Sequence, residues 1–186
     1  MREAGFDLTM FDEYSPNTQA EIRKRTIKNI MRNIAYEFEE VTDKDLNSIK
    51  RGVYVICVSN PFTISYNRGC SEIIYIGIGN ISTRLESHFN NSLFDFMMSV
   101  AGADFDFYLT EPTVVPGEGY YKHIEYMLLE KFREKHGVYP LLNTNAGSKK
   151  EFEEAGKGWD KPLKGAGKKP LWELRPTKHC EFAKLD

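Results

Sequence analysis

The sequence has few cysteines, no long apolar run and no strong excess of charge of either sign. Its three cysteines, Cys57, Cys70 and Cys180, form no CxxC or Cys/His cluster, which indicates a reducing compartment and no structural zinc. No stretch approaches the ~20 apolar residues of a membrane span, and the N-terminus lacks the apolar core of a signal peptide. We therefore expect a cytoplasmic protein without a membrane partner.

Composition favours one compact catalytic domain with extensions. The chain has 186 residues, of which 41% are hydrophobic and 13% aromatic, enough apolar side chain to build a real core. The formal net charge of -2 gives no whole-chain argument for binding nucleic acid, although a basic patch can coexist with a neutral total. Charge must therefore be examined locally.

The first 50 residues predict an N-terminal helical extension. Apolar residues recur at helical intervals over about 18 to 38, and Thr18 and Glu21 have the spacing of a capping box. The same helix carries several cations, among which we select Arg23, Lys24 and Lys28 as candidate nucleic-acid contacts. An ordinary solvated helix face is the alternative explanation, and the one that we favour for these cations.

Three segments predict strands. Residues 52–59 and 72–79 are rich in β-branched and aromatic residues, and residues 60–71 between them predict a long hairpin loop. Residues 104–111 alternate apolar with polar residues. Gly77 and Gly79 are interpreted as glycines at the exit of the second strand, because Gly-x-Gly alone lacks the lysine and spacing of a nucleotide site.

The helix predicted over 120–136 contains an unusual carboxylate. At 100° per residue, Glu125 falls near the middle of the apolar face, among residues such as Leu128 and Leu129. Burying an unpaired carboxylate is costly, so Glu125 needs a metal, a hydrogen-bond donor or a cation. A structural pair with an arginine is the alternative to a metal site.

A shorter helix, predicted to begin near Ser82, supplies an arginine and a histidine. Arg84 and His88 are four residues apart and project from one face. Arginine can bind a phosphate through two parallel hydrogen bonds, and histidine can exchange a proton near neutral pH. Taken alone, such a pair can also be a surface coincidence.

Five elements in order resemble the GIY-YIG nuclease family. Gly52-Val53-Tyr54 and Tyr75-Ile76-Gly77 on consecutive predicted strands look like its defining pair, with Val53 in place of the isoleucine. Arg84 in the next helix, Glu125 at the start of a Glu-x-x-Leu-Leu pattern, and Asn143 three residues after Pro140 match the arginine, glutamate and asparagine of the family. The resemblance covers residues 51–145.

The resemblance implies a fold and a reaction. The fold would be α+β, a small three-stranded antiparallel sheet flanked by helices, with extensions at 1–50 and 146–186. The reaction would be metal-dependent hydrolysis of DNA phosphodiester bonds. Glu125 would hold one divalent cation, Mg²⁺ or Mn²⁺, since hard cations prefer carboxylate and water oxygens.

The resemblance also implies roles for the other catalytic residues. Tyr54 would help take the proton from the attacking water, with His88 sharing it, and Arg84 would stabilise charge at the transition state. Tyr75 would orient the water or the phosphate, and Asn143 would brace the loop beside the metal. An ordinary core tyrosine is the alternative for Tyr75.

Twenty residues separate Tyr54 from Tyr75, about twice the spacing common in the family, so the hairpin between the two motifs is enlarged. With this enlargement and the spacing Arg84-x-x-x-His88, the chain is more similar to the small restriction endonucleases of the family than to its excision-repair nucleases. We therefore expect a restriction or mobile-element nuclease acting on double-stranded DNA. A double-strand cut requires either two active sites, as in a homodimer, or two sequential nicks. A catalytically silent nucleic-acid-binding domain and a nuclease acting on RNA are the alternatives.

The C-terminal extension is rich in lysine and glycine. Lys161, Lys164, Lys168 and Lys169 suit phosphate contacts that do not depend on base sequence. Trp159 and Trp172 could stack on bases or could pin this segment to the core, and we favour pinning.

Overall fold

A computed structural model describes residues 2–3, 6–100, 102–112, 119–144, 147–148, 158–165, 167 and 169–175. The chain forms two compact units, Met1–Lys50 with Asn80–Gly102, and Arg51–Gly79 with Ala103–Asp186. This division differs from the predicted order of extension, domain and extension. Residues 80–102 group with the N-terminal helix, and the C-terminal segment groups with the sheet.

The protein has an α+β fold. Its strands and helices are, in chain order, β1 (Arg2–Glu3), β2 (Phe6–Asp7), α1 (Pro16–Thr42), β3 (Gly52–Val58), β4 (Phe62–Tyr66), β5 (Gly69–Ser71), β6 (Ile73–Gly79), α2 (Ile81–His88), α3 (Phe94–Ser99), β7 (Phe105–Thr110), α4 (Tyr120–His136) and β8 (Trp172–Leu174). Among the described residues, no helix combines the length and apolar character needed to cross a bilayer.

In the first unit, helix α1 begins earlier than the sequence pattern predicts. The Ser15 hydroxyl accepts a hydrogen bond from the Thr18 amide at 3.3 Å, and Pro16 occupies the first turn. Proline suits this position because its missing N–H would have no helical partner. The predicted capping box starting at Thr18 is therefore wrong, and the cap lies three residues upstream.

Helix α2, also in the first unit, is capped by Asn80, whose side-chain oxygen accepts from the Thr83 amide at 3.2 Å. Leu85 on α2 and Phe89 directly after it are fully buried and attach the helix to the core. A five-residue π-helical turn, Phe89–Leu93, joins α2 to α3.

The second unit contains the predicted sheet. Strands β6, β3 and β7 form an antiparallel sheet in that order, and every residue of the central strand β3 is buried. Helix α4 has the predicted bounds and packs on this sheet through a stripe of buried side chains: Tyr120, Ile124, Leu128, Leu129, Phe132 and His136.

A second three-stranded sheet was not predicted. The segment 60–71, interpreted from sequence as a loop, contains β4 and β5, and β8 pairs in parallel with β4. These strands have three to five residues, too short to give a clear alternating pattern beside serine, threonine and asparagine. The C-terminal extension thus contributes a strand to the unit that contains the main sheet.

Candidate active site

The two motif tyrosines pack against each other on the central sheet. Tyr54 lies opposite Gly77 in the register of β3 and β6, and the Tyr54 and Tyr75 rings stack with centroids 5.7 Å apart and planes 25° apart. Tyr54 has no exposed surface, whereas Tyr75 is half-buried. Tyr75 is therefore the member of the pair with surface available to a ligand.

Gly77 makes this stacking possible. A Cβ at Gly77 would lie 2.8 Å from the Tyr54 hydroxyl oxygen and would also overlap the Tyr75 ring. Any larger residue would push one ring away. The interpretation of Gly77 as a strand-exit glycine is therefore wrong, because the residue lies inside β6 and provides the space for both tyrosines.

Asn143 holds the same strand from its other edge. Its side-chain oxygen accepts from the Ile76 amide at 2.9 Å, and its side-chain nitrogen donates to the Ile76 carbonyl at 2.8 Å. The Leu142 amide also donates to the Ile74 carbonyl at 2.9 Å. Both ends of the Asn143 amide are thus bound to the backbone between Tyr75 and Gly77, which makes Asn143 a brace for the motif.

Glu125 lies on α4 among buried residues of the stripe. It follows Ile124, precedes Leu128 and Leu129 by about one turn, and is itself half-buried. The carboxylate lies close to Gly147, since a Cβ added there would be 3.2 Å from Glu125 Oε2. The chain thus leaves room at the carboxylate that a side chain at position 147 would fill.

The donor set around Glu125 suits a cation held by one carboxylate. Among the described residues, no group of three or more His, Cys, Asp or Glu side chains converges in a way that could hold a metal. Mg²⁺ is commonly bound through one or two carboxylates together with water and substrate phosphate. The Glu125 carboxylate, half-buried and adjacent to Gly147, supplies the one protein oxygen ligand that such a site would need.

Arg84 and His88 lie on α2 in the first unit. The Arg84 side chain is exposed and His88 is half-buried. Burial, with a smaller contribution from the Arg84 charge, lowers the pKa of His88 to about 4. At neutral pH the His88 imidazole is therefore uncharged and can accept a hydrogen bond.

The π-helical turn directly after His88 is a feature that the sequence pattern did not indicate. The Ser92 hydroxyl donates to the His88 carbonyl at 3.3 Å across this turn. Single π-helical turns occur frequently at functional sites. A π-helical turn adds one residue to an otherwise regular helix. The apolar pattern of residues 81–99 does not reveal this single added residue, so the turn could not be predicted from local periodicity.

The candidate nucleic-acid contacts on α1 occupy different environments. Arg23 is half-buried, donates to the Asn90 carbonyl at 2.9 Å, pairs with Asp95 and lies over the Phe94 ring. Its guanidinium therefore takes part in packing the first unit. Lys24 and Lys28 are both exposed, one turn apart.

The lysines of the C-terminal segment lie on a well-attached piece of chain. Lys161, Lys164 and Lys169 are at least partly exposed, and Lys168 lies outside the described residues. Asp160 pairs with Lys131 at 2.7 Å, and the Lys135 side chain donates to the Leu163 carbonyl at 2.9 Å.

The two tryptophans of this segment differ in their surroundings. Trp159 packs against the core cluster of the second unit, so the expected pinning is confirmed for this residue. Trp172 lies on β8 and is 64% exposed. Backbone pairing of β8 with β4 attaches Trp172 to the sheet, while its ring remains open to solvent.

The cavity found in the second unit is not at the tyrosines. It has a volume of about 50 Å³ and lies at the other end of β3 from Tyr54, beside Cys57, Glu72 and Asp106. None of the predicted site residues lines it.

Comparisons with family models, with curated proteins and with solved structures gave no match.

Proposed function

We propose that this protein is a metal-dependent endonuclease of the GIY-YIG type that hydrolyses DNA phosphodiester bonds. The observation that carries the proposal is the stacked pair Tyr54 and Tyr75 over Gly77, braced by Asn143, in the unit that also holds Glu125. An ordinary sheet does not require a glycine under two stacked tyrosines. The packing of Tyr54 and Tyr75 against Gly77 therefore gives a physical reason why the two motifs contain two tyrosines and a glycine at these positions.

Glu125 is the proposed metal ligand. Mg²⁺ bound there would polarise a phosphate oxygen and lower the pKa of a bound water. The half-buried carboxylate would hold the cation, and the small residue Gly147 leaves room for its water shell beside Glu125 Oε2.

Tyr75 is the proposed contact to the phosphate or the attacking water. Its ring is half-buried and its neighbour Tyr54 has no exposed surface. Tyr54 would then be a positioning residue that fixes the Tyr75 ring by stacking. This changes the role expected from the resemblance, in which Tyr54 took part in removing the proton.

The resemblance assigns the remaining chemistry to His88 and Arg84. The lowered pKa leaves His88 as a neutral, weakly basic imidazole, which would accept a hydrogen bond from the attacking water and orient it rather than remove its proton. The exposed guanidinium of Arg84 suits binding of phosphate oxygens through two parallel hydrogen bonds.

The test is incubation of the purified protein with plasmid DNA, single-stranded DNA and RNA, each with Mg²⁺ and with EDTA. We expect Mg²⁺-dependent nicking or linearisation of the plasmid and no cleavage in EDTA. Binding of DNA without cleavage would instead support a silent binding domain, and cleavage confined to RNA would support the other alternative. Sequencing of the ends would identify the cut position and show whether both strands are cut.

A further inference from the structure

The π-helical turn after His88 keeps two phenylalanines in the core. Phe89 and Phe94 are both fully buried although they are five residues apart. In a regular α-helix, residues at this separation point ~140° away from each other, because each residue is rotated by ~100° from the last. The wider turn returns them to one face, and the Phe94 amide donates to the Phe89 carbonyl. Since His88 directly precedes Phe89, the geometry of this turn determines how deeply the His88 ring is buried.

Side chains of the π-helical turn bind back to the last turn of α2. Three consecutive polar side chains donate hydrogen bonds to groups four residues earlier: Asn90 to the Glu86 carbonyl at 2.9 Å, Asn91 to Ser87 Oγ at 3.2 Å and Ser92 to the His88 carbonyl at 3.3 Å. The bond made by Ser92 acts on the main chain of His88 itself. These contacts couple the position of His88 to the conformation of the π-helical turn.

Arg23 on α1 fixes the same turn through a single guanidinium group. One of its nitrogens donates to the Asn90 carbonyl inside the turn at 2.9 Å, and another pairs with Asp95 on α3. The guanidinium carbon also lies 4.7 Å from the centroid of the Phe94 ring. A planar arginine fork can bind two acceptors and stack on a ring at the same time, whereas the point charge of a lysine cannot. Arg23 therefore joins the π-helical turn to the helix that follows it.

We propose, on the basis of the nuclease function proposed above, that Arg23 is a positioning residue that holds the π-helical turn and thereby fixes the orientation of His88 in the reaction. The path lies within the first unit. Arg23 binds the carbonyl of Asn90 inside the turn. Two residues later, the Ser92 hydroxyl binds the His88 carbonyl. This role differs from the DNA contact for which Arg23 was a candidate, because its guanidinium is already bound by the turn and by α3.

Two other roles for Arg23 predict different measurements. A residue that only stabilises the first unit would lower the melting temperature on substitution, but the folded variant would keep the surroundings of His88 and the cleavage rate. A phosphate contact would lower DNA affinity and the slope of log binding constant against log salt, with the rate at saturating protein retained. A positioning residue changes both the surroundings of His88 and that rate.

The experiment has two readouts on the full chain. The first is the pKa of His88 from an NMR titration of its imidazole protons, with the signal identified by its absence from His88→Gln. The second is the rate of single-turnover plasmid cleavage with Mg²⁺ at saturating protein. The variants are Arg23→Lys and Ser92→Ala, and the control is Arg25→Lys, since Arg25 pairs with Glu21 on the exposed side of α1. Ser92→Ala retains every contact of Arg23, so it tests the same path if Arg23→Lys folds poorly.

Loosening of the turn should expose His88. Burial lowers the pKa of His88 to about 4, so exposure should raise this pKa by about one unit or more, toward the ~6.5 of a solvated imidazole. We expect this rise, together with ~10-fold or more slower cleavage, in Arg23→Lys and to a smaller extent in Ser92→Ala. DNA affinity and its salt dependence should be retained, and Arg25→Lys should match wild type in both readouts.

The outcomes separate this inference from the nuclease proposal. An unchanged pKa of His88, or an unchanged cleavage rate, in the folded variants would overturn the inference and leave the nuclease function standing. Weaker DNA binding with a reduced salt slope and a wild-type rate in Arg23→Lys would overturn it in favour of a phosphate contact. Absence of Mg²⁺-dependent cleavage by wild type would overturn the nuclease function, and the inference with it.

Discussion

The two three-stranded sheets of the second unit are built from strands of different length and are held in place in different ways. In the first sheet, β3 and β6 have seven residues each and pair along their length, with β3 entirely buried. In the second, β4 and β5 are shorter, and the turn between them is fixed by a few contacts to α4. The first arrangement fixes the relative positions of side chains along two long strands, whereas the second depends on fewer backbone pairs and on contacts to α4.

The largest expected difference between the two sheets concerns their glycines. Gly77→Ala would place a methyl group against Tyr75 and Tyr54, an overpacking that typically costs ~1 to 3 kcal/mol or more. Gly69→Ala, in β5, meets no atom within 4 Å and is penalised only by its φ of 79°, at ~1 kcal/mol. Urea unfolding of both variants measures the difference.

Cleavage by the same two variants sharpens the comparison. Gly77→Ala should have little activity under conditions in which the variant remains folded, because the Tyr75 ring is displaced. Gly69→Ala should keep the wild-type cleavage rate. Equal losses of stability and of cleavage activity in Gly77→Ala and Gly69→Ala would contradict the special role of the central sheet.

The link between the second sheet and α4 should weaken in mild acid. Burial lowers the pKa of His136, and the hydrogen bond from the buried ring to Arg68 does not reverse that direction. An unfolded histidine binds a proton with a pKa of ~6.5, so acid favours the unfolded state. The contribution to stability is fully present above pH ~6.5 and is lost as the pH falls toward the lower folded pKa.

Urea unfolding between pH 6.5 and pH 5 measures this loss. Each such histidine can contribute at most ~1.4 kcal/mol per pH unit, and the window lies above the usual titration range of carboxyl groups. His88, with a pKa of about 4, adds a slope of the same sign. His136→Gln should show a smaller slope than wild type, and an identical slope would exclude His136 as the cause.

The smallest expected effect concerns the lysines beside the second sheet. If Lys161, Lys164 and Lys169 contact phosphates, replacing each by glutamine should reduce the slope of log binding constant against log salt by ~0.9. The cleavage rate at saturating protein should stay at the wild-type value. Substitution is the better test than truncation after Thr144, because Trp159 and Leu163 pack against the core.

An unchanged salt slope in the triple variant would mean that these lysines do not contact phosphate. Lys24→Gln with Lys28→Gln provides the corresponding measurement for the exposed face of α1. Arg23 is unsuitable for this purpose, since its replacement would also remove the contacts to Asn90 and Asp95.

Long, regular elements were the part of the fold that could be predicted from sequence. The apolar run of β3 and the alternation in β7 predicted strands that the structure contains, and the bounds of α4 were predicted to the residue. The second sheet was missed because β8 pairs with β4 across more than a hundred residues. Local periodicity carries no information about such a pairing.

The candidate site shows the same limit. The resemblance predicted that Asn143 braces the loop beside the metal, whereas the structure shows its side chain bound to the Ile76 backbone in β6. These two hydrogen bonds depend on a chain reversal after α4 that no local pattern encodes. The role of Gly77 could not be predicted, because a close approach of two rings is a tertiary property. The prediction that Glu125 lies within the apolar face of its helix agrees with the structure, in which Glu125 is half-buried among Ile124, Leu128 and Leu129.

The central claim, that Glu125 binds the catalytic metal, is tested most directly by Glu125→Gln in single-turnover cleavage of plasmid with Mg²⁺ at saturating protein. The control is Glu134→Gln, an exposed carboxylate on the same helix. Glu130 is a poorer control because it accepts a hydrogen bond from the Tyr139 hydroxyl and pairs with Arg133. We predict that Glu125→Gln cleaves ~100-fold or more slowly, with DNA binding retained, and that Glu134→Gln cleaves at the wild-type rate. Mg²⁺-dependent cleavage by Glu125→Gln at the wild-type rate would contradict the claim.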